Sequence, residues 1–165
     1  MPSNRFRFCR QCHVLFSIAD GIAHTRCPAP GFNQHDDSAS GIYSLSTKDE
    51  PSPAEEFQDG WYECEHCNGL FFTRTIDKND QMQRRARGGR CPLSAGVQHE
   101  RRLDSAEALE TFVLPHNVTP APGAQRNWRW CEKCSGLFFA GDDFWGHCPV
   151  GGEHGKLGNY RLTMG

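Results

Sequence analysis

The chain has 165 residues, with 17 glycines, 10 prolines and a formal net charge of −2. This length suits one ordinary domain with a packed core, and the many turn-forming residues favour short strands over long helices. The sequence has no run of about 18 apolar residues, which excludes a membrane-spanning helix, and its weak negative charge is not that of a general nucleic-acid binder.

One sequence pattern occurs three times. Each copy has an aromatic segment that leads into Cys-x-x-Cys, then a Leu-Phe segment, a Cys-Pro pair, a downstream histidine and a final aromatic-x-Leu segment. A repeat of this kind defines the fold before any single residue is interpreted. We assign the three copies to residues 1–48, 58–115 and 126–165 of a single domain that covers residues 1–165.

Each copy offers four short strands. In the first copy, residues 5–9 alternate between polar and apolar side chains, and residues 14–16, 22–27 and 42–45 form three further apolar segments between turn signals. The other copies have corresponding segments, and the last copy ends in a strand around Tyr160. The sequence therefore predicts an all-β protein of about four strands per repeat.

The connecting segments are polar and rich in proline. Residues 47–57 and 115–125 are predicted to be solvated linkers. The second copy has 23 residues between Cys67 and Cys91, against 14 and 13 in the other copies. This insertion is predicted to be a solvated loop, with a polyanion contact as the alternative for its four arginines, Arg84, Arg85, Arg87 and Arg90. A second insertion holds Ser105, a possible cap for one helical turn.

The cysteines indicate metal sites. Nine is an odd number, so disulfides cannot pair them all, and each copy has three cysteines followed by one histidine. Three cysteines and one histidine form a closed tetrahedral zinc set. We therefore predict three zinc ions, held by Cys9, Cys12, Cys27 and His35; by Cys64, Cys67, Cys91 and His99; and by Cys131, Cys134, Cys148 and His154. His24 and His147 lie near their third cysteine and are alternative ligands.

These sets indicate structural rather than catalytic metal. A catalytic zinc usually has three protein ligands and an open position for water, whereas each set here provides four. The sequence has no glycine-rich phosphate loop and no nucleophile motif. We therefore expect a protein that is not an enzyme. Residues 1–7 lack the apolar stretch of a secretory signal, which predicts a location in the cytoplasm or release without a signal peptide.

The repeat pattern resembles that of the β-trefoil proteins. Its aromatic-x-Cys, Gly-x-Phe-Phe and terminal Tyr-x-Leu segments look like trefoil repeats of the growth-factor and lectin kind, and the resemblance covers nearly the whole chain. It implies a pseudo-threefold, β-trefoil-like domain. The chain departs from that family because it lacks the Gln-x-Trp signature of many trefoil lectins, which do not usually need zinc.

A second resemblance gives the alternative fold. The segment Cys64-Glu-His-Cys67-Asn-Gly is similar to a zinc-ribbon knuckle. This similarity implies three tandem zinc-ribbon-like modules, although ribbons usually close with a second Cys-x-x-Cys that is absent here. A ribbon array would bind protein or nucleic acid, and we expect nucleic acid to be the less favoured partner.

The trefoil resemblance implies a lectin, and one polar segment offers a candidate sugar site. Asp142, Trp145 and His147 place a carboxylate, an aromatic ring and an imidazole close together, while the first copy retains Asp20 and His24. A carboxylate can accept hydrogen bonds from sugar hydroxyls, and an indole can stack on the apolar face of a sugar. The predicted partner is therefore a glycan; the alternative interpretation of these residues is an ordinary turn.

Overall fold

The structure is a computed structural model that describes residues 3–19, 21–22, 25–47, 57–74, 86–93, 97–102, 111–115, 124–141 and 143–164. These residues form eleven strands: β1 (Ser3–Phe8), β2 (Leu15–Ser17), β3 (Tyr43–Thr47), β4 (Phe57–Glu63), β5 (Leu70–Phe72), β6 (Arg87–Gly88), β7 (His99–Glu100), β8 (Phe112–Pro115), β9 (Ala124–Cys131), β10 (Leu137–Phe139) and β11 (Lys156–Met164). The all-β prediction is confirmed for this part of the chain. None of its segments forms a helix long and apolar enough to cross a bilayer.

Each repeat contributes three strands that pair in the same way. The first strand pairs antiparallel with the second through the Cys-x-x-Cys turn, and it also pairs antiparallel with the last strand of the repeat. The three-stranded units are β1, β2 and β3; β4, β5 and β8; and β9, β10 and β11. The loop between the second and third strands carries the remaining cysteine and the histidine.

The prediction of a third strand in the first repeat, over residues 22–27, is wrong. The described residues of this segment belong to no ladder. The Thr25 N–H donates to the Ile22 carbonyl at 3.1 Å, and the Arg26 N–H donates to the Cys67 carbonyl of the next repeat at 3.4 Å. A local turn and a neighbouring repeat therefore use the backbone donors that a strand would need. Among the residues that the structure describes, only the second repeat has a short ladder here, between β6 and β7.

The last strand of the first repeat pairs with the last strands of the other two repeats. Strand β3 pairs with β11 through Ser44 and Thr163, and with β8 through Ser46 and Val113. Isolated backbone bridges also connect the second strands of the three repeats in a ring: β2 to β5, β5 to β10 and β10 back to β2. The sheet is therefore nearly closed around a pseudo-threefold axis. This pairing establishes neither a β-trefoil nor a zinc-ribbon topology, so both stay predictions.

The three repeats share one hydrophobic core. Each repeat contributes one aromatic from its first strand, one leucine from its second, and one aromatic and one leucine from its last strand. The twelve side chains are Phe6, Leu15, Tyr43, Leu45, Trp61, Leu70, Phe112, Leu114, Trp128, Leu137, Tyr160 and Leu162, all at most 5% exposed. Burial of this apolar surface is the main force that holds the repeats together.

Aromatic pairs join the repeats in cyclic order. A first-strand aromatic meets a last-strand aromatic of another repeat edge-on at each of three interfaces: Phe6 with Phe112 at 5.2 Å, Trp61 with Tyr160 at 5.2 Å and Trp128 with Tyr43 at 5.4 Å. Edge-to-face contacts at these centroid distances are favourable beyond the area they bury.

The end of the second-repeat insertion packs on the body of the protein. Ala86 is fully buried, and the Thr73 hydroxyl donates to the Arg87 carbonyl at 2.7 Å. The prediction of a solvated loop is therefore wrong for these last residues, because a backbone carbonyl and a methyl group find partners there. Arg84, Arg85, Ser105 and the interiors of both predicted linkers lie outside the described residues.

Candidate metal centres

The Cys-x-x-Cys turn, called the knuckle below, has the same backbone in all three repeats. In the first, the Cys9 N–H donates to the Val14 carbonyl at 3.0 Å and the His13 N–H donates to the Cys9 carbonyl at 2.8 Å. The residue after the second cysteine is left-handed in each knuckle, with φ of 67° at His13, 64° at Asn68 and 67° at Ser135. This conformation reverses the chain so that both sulfurs of a knuckle point the same way.

The structure brings the four predicted ligands of each set together. All twelve side chains are buried, and the ligand atoms within a set lie within 4.8 Å of one another. Site one contains Cys9, Cys12, Cys27 and His35; site two contains Cys64, Cys67, Cys91 and His99; site three contains Cys131, Cys134, Cys148 and His154. All nine cysteines are free thiols rather than disulfides.

The distances fit a tetrahedral zinc ion. The first and third cysteine sulfurs are 3.9, 3.8 and 3.9 Å apart in sites one, two and three. The second sulfur lies 3.4, 3.5 and 3.5 Å from the histidine Nδ1. Zinc bonds of about 2.3 Å to sulfur and about 2.0 Å to nitrogen give tetrahedral edges of about 3.8 Å and 3.6 Å respectively. Each set could therefore hold one zinc ion.

A phenylalanine of the second strand orients each imidazole. The ring centroids are 4.5 Å apart for Phe16 and His35, 5.0 Å for Phe71 and His99, and 4.7 Å for Phe138 and His154, with interplanar angles of 27°, 21° and 23°. Stacking fixes the ring plane so that Nδ1 faces the sulfurs.

The alternative histidine ligands are not in these sets. His147 lies outside site three, where its ring contacts Phe144 at 5.0 Å. His24 lies outside the described residues, and His35 completes site one without it.

Backbone amides support the sulfurs. The Asp36 N–H donates to Cys9 Sγ at 3.4 Å, and the Gly155 N–H donates to Cys131 Sγ at 3.3 Å. In the third knuckle the Cys134 N–H also donates to Cys131 Sγ, at 3.4 Å. Amide donors stabilise the thiolate form of a sulfur, which is the form that binds a metal.

In each metal-free set the first cysteine has a pKa far below its usual value, and the second cysteine has a raised pKa. Hydrogen bonds from Cys12 and Cys27 hold the pKa of Cys9 far below its usual value. Burial, and then hydrogen bonding to its neighbours, raises the pKa of Cys12. The hydrogen bond with Cys12 lowers the pKa of Cys27. The contact with Cys9 and burial both raise that pKa and outweigh the effect of Cys12, so the pKa of Cys27 is about 12.

The other two sets follow the same rule. Burial opposes ionisation of Cys64, yet hydrogen bonds from Cys67 and Cys91 keep its pKa well below normal. The contact with Cys64 raises the pKa of Cys91 to about 12. In site three, burial disfavours the charged imidazole, but hydrogen bonds to sulfur outweigh it and raise the pKa of His154 to about 9. A metal that enters these sites must therefore displace protons.

The predicted sugar-binding residues are only partly described. Asp20, His24 and Asp142 lie outside the described residues. Trp145 is half-buried, with Lys156 Nζ 5.2 Å from its ring centroid, and its backbone N–H donates to Glu153 Oε1 at 2.9 Å. One face of the indole is therefore covered by a cation, which leaves less of the ring for a sugar.

Sequence reasoning missed Phe144, which is 40% exposed next to these residues. Its ring lies 5.4 Å from that of His13 and 5.0 Å from that of His147, so two imidazoles from different repeats flank it. The adjacent Phe144-Trp145 pair in a polar segment was the available signal.

A fourth cluster of polar side chains lies outside the three metal sets, and the repeat pattern did not predict it. His66 Nε2 lies 3.6 Å from a Glu65 oxygen and 4.0 Å from a Glu100 oxygen. These side chains are exposed or half-buried, and Arg87 Nε lies 3.5 Å from the other oxygen of Glu100. The arrangement is a surface ion-pair network, which typically contributes little to stability.

Comparison with models of protein families, with curated proteins and with solved structures found no match to this chain. The chemistry of the three sites therefore follows from their own geometry.

Proposed function

We propose that this chain is a non-catalytic binding protein that is held together by three structural zinc ions. The observation that carries the proposal is the geometry of the sites: three buried sets of four ligands have near-tetrahedral spacing in equivalent positions of three repeats. Zinc is favoured over other common metals because thiolate and imidazole ligands in a tetrahedral arrangement suit it.

The closed ligand sets support a structural role. Four protein ligands complete the coordination of a tetrahedral zinc ion, so no position is left for a reacting water. In site one, the knuckle supplies Cys9 and Cys12, and the distant loop supplies Cys27 and His35. Each ion would therefore tie a loop to a hairpin, and the binding free energy of the metal would be part of the folding free energy.

A threefold scaffold suits recognition, because repeated surfaces raise avidity for repeated ligands. The described residues do not single out a carbohydrate as the ligand, since Lys156 covers a face of Trp145. The proposal is therefore limited to a zinc-held binding scaffold.

Elemental analysis of the purified full-length chain tests the proposal. We expect three zinc ions per chain, one for each set. Cys27→Ser, Cys91→Ser and Cys148→Ser should each lower the count by one, whereas His66→Ala, which changes an imidazole outside the three sets, should leave it unchanged. A count of one or none would contradict the proposal.

Metal removal tests the structural role separately. A strong chelator should lower the melting temperature markedly, because the ligand loops lose the ions that hold them. An unchanged melting curve, with loss of metal shown by elemental analysis, would argue against a structural role.

A further inference from the structure

The metal-binding loop of one repeat contacts the knuckle of the next. The Arg26 N–H of the first loop donates to the Cys67 carbonyl at 3.4 Å, and the Arg90 N–H of the second loop donates to the Cys134 carbonyl at 3.2 Å. These backbone bonds join a residue next to the third cysteine of one site to the second cysteine of another. The sites are therefore neighbours in structure as well as copies in sequence.

The third loop contacts the first knuckle through a side chain as well as through the backbone. Gly146 has φ of +83°, and a Cβ there would lie 2.1 Å from the Cys12 carbonyl oxygen. His154 Nε2 lies 2.9 Å from the same oxygen. A metal on Nδ1 leaves the proton on Nε2, so the imidazole donates to this carbonyl. A ligand of site three thus holds the backbone of a ligand of site one.

The other two imidazoles lack this bond among the described residues. His35 Nε2 is buried without a hydrogen-bond partner, and His99 makes its hydrogen-bonding contact through Nδ1, with Cys67 Sγ. The apolar clusters have the same asymmetry. The cysteines of sites one and three share one cluster, while those of site two lie in another.

We propose that His154 is a positioning residue for site one, so that sites one and three bind zinc cooperatively while site two binds it separately. This inference rests on the proposed function, since it requires the sites to hold zinc. Zinc at site three restrains the His154 ring, and the ring restrains the Cys12 carbonyl. The knuckle then holds the Cys9 and Cys12 sulfurs in place before the first-site ion arrives. Coupling between two sites is reciprocal, so zinc at site one strengthens site three by the same factor.

Zinc release from the wild-type holoprotein gives the first test. A graded series of chelator concentrations is followed by the amide NMR signals of His13, Asn68 and Ser135, one in each knuckle. The signals of His13 and Ser135 should change at the same chelator concentration, and that of Asn68 at a different one. Separate release at sites one and three, or release of all three ions in one step, overturns the proposal.

The variant His154→Cys gives the second test. A set of four cysteines still binds structural zinc, but it has no N–H to donate to Cys12. The variant should retain three zinc ions, while its first site releases zinc at a chelator concentration at least about fivefold lower than in the wild type. Release from the first site at the wild-type concentration overturns the proposal.

His99→Cys is the matched control, because it makes the same change at site two, where no imidazole bond reaches a knuckle. Its first site should release zinc as the wild type does. If His154→Cys fails to fold or to bind a third ion, the wild-type release experiment still decides the question. A wild-type protein that never binds three ions contradicts the proposed function, whereas three ions released independently contradict only the coupling.

Discussion

The protonation of individual ligands decides how tightly each site holds metal. In site one, Cys9 is the ready thiolate, while burial and its neighbours keep Cys12 and Cys27 protonated. This division follows from packing three sulfurs together in a buried place, where one negative charge can be stabilised by two S–H donors and a second charge cannot.

Zinc binding should release at least two protons per site at neutral pH: from two thiols of raised pKa in each of sites one and two, and from the Cys134 thiol and the His154 imidazolium in site three. A thiol whose pKa is raised is protonated at pH 7, and zinc must displace that proton. Zinc affinity should therefore increase as the pH rises and fall as it drops. Calorimetric titration of the metal-free protein in buffers of different ionisation enthalpy measures the proton count. A value below two per ion would mean that the thiols are already ionised.

The ligand residues themselves were predictable from the sequence, for a local reason. A two-residue gap between cysteines forms a knuckle in any context, and the order of the third cysteine and histidine repeats three times. The interactions that orient His35, His99 and His154 were not predictable. Each imidazole stacks on the second-strand phenylalanine of its own repeat, and the recurrence of that phenylalanine does not by itself state that the two rings meet.

At the level of loops and strands, the contacts between repeats depend on residues without side chains. Gly89 and Gly146 hold equivalent places two residues before the third cysteine, and both have positive φ. A Cβ would lie 2.0 Å from the Cys134 carbonyl oxygen at Gly89 and 2.1 Å from that of Cys12 at Gly146. The second and third loops therefore approach the neighbouring knuckles this closely only because these positions are glycine.

Gly146→Ala should lower the free energy of unfolding of the zinc-loaded protein by about 3 kcal/mol or more, since the methyl group would overlap a backbone carbonyl. Denaturant unfolding in a zinc buffer measures this. Gly21→Ala is the control, because Gly21 has a similar φ of +87° with nothing within 4 Å of a Cβ. It should cost only the strain of a left-handed residue, about 1 kcal/mol. Equal losses in the two variants would show that the close approach does not matter.

Tyrosine and glutamine form matched pairs at two of the three repeat interfaces. The Tyr43 hydroxyl donates to Gln125 Oε1 at 2.7 Å, and the Tyr160 hydroxyl donates to Gln58 Oε1 at 2.6 Å. At the third interface Phe112, which has no hydroxyl, takes the place of the tyrosine. Ser3 takes the place of the glutamine. The glutamine is present where there is a hydroxyl to bind.

Tyr160→Phe should therefore lower the free energy of unfolding by about 1 kcal/mol, because Gln58 loses its donor. Adding Gln58→Ser to this variant imitates the phenylalanine and serine of the third interface, and it should restore part of the lost free energy of unfolding. Chemical denaturation of the two variants and the wild type at one zinc activity makes the comparison. Additive losses in the double variant would indicate that the two side chains act independently.

The pairing between repeats could not be predicted from the strand pattern. Alternation of polar and apolar residues identified most strands, including β1 and β11, but it does not state which strand lies beside which. The segment over residues 22–27 was misassigned for the same reason, since the Arg26 amide bonds to the knuckle of another repeat. Short apolar segments give no information about partners that are distant in sequence.

At the scale of the whole molecule, the shared core makes the repeats dependent on one another. The third repeat contributes Trp128, Leu137, Tyr160 and Leu162 to a cluster in which most of the other side chains come from the first two repeats. A repeat of about 40 residues alone buries too little apolar surface to be stable. Zinc would hold its knuckle and loop together but would not cover this face.

A fragment of residues 126–165 should therefore fail to form its native strands even with zinc, whereas the zinc-loaded full chain should unfold in one cooperative transition. Differential scanning calorimetry of the full chain and NMR of the fragment test the two halves of this expectation. Well-dispersed signals from the zinc-loaded fragment would instead support three independent zinc modules.

Because the ring of repeats is nearly closed, the polypeptide could begin at a different repeat and still form the same contacts. Ser3 and Met164 both pair with β3, Ser3 through Leu45 on one edge and Met164 through Tyr43 on the other. Two strand spacings across the sheet and a two-residue offset along β3 therefore separate the first and last described residues by about 12 Å. A circular permutant that joins these residues with a short glycine-rich linker and opens between β3 and β4 should fold and bind three zinc ions. What specifies the architecture is the set of contacts around the axis, and the peptide bonds between repeats mainly keep the three units at high local concentration.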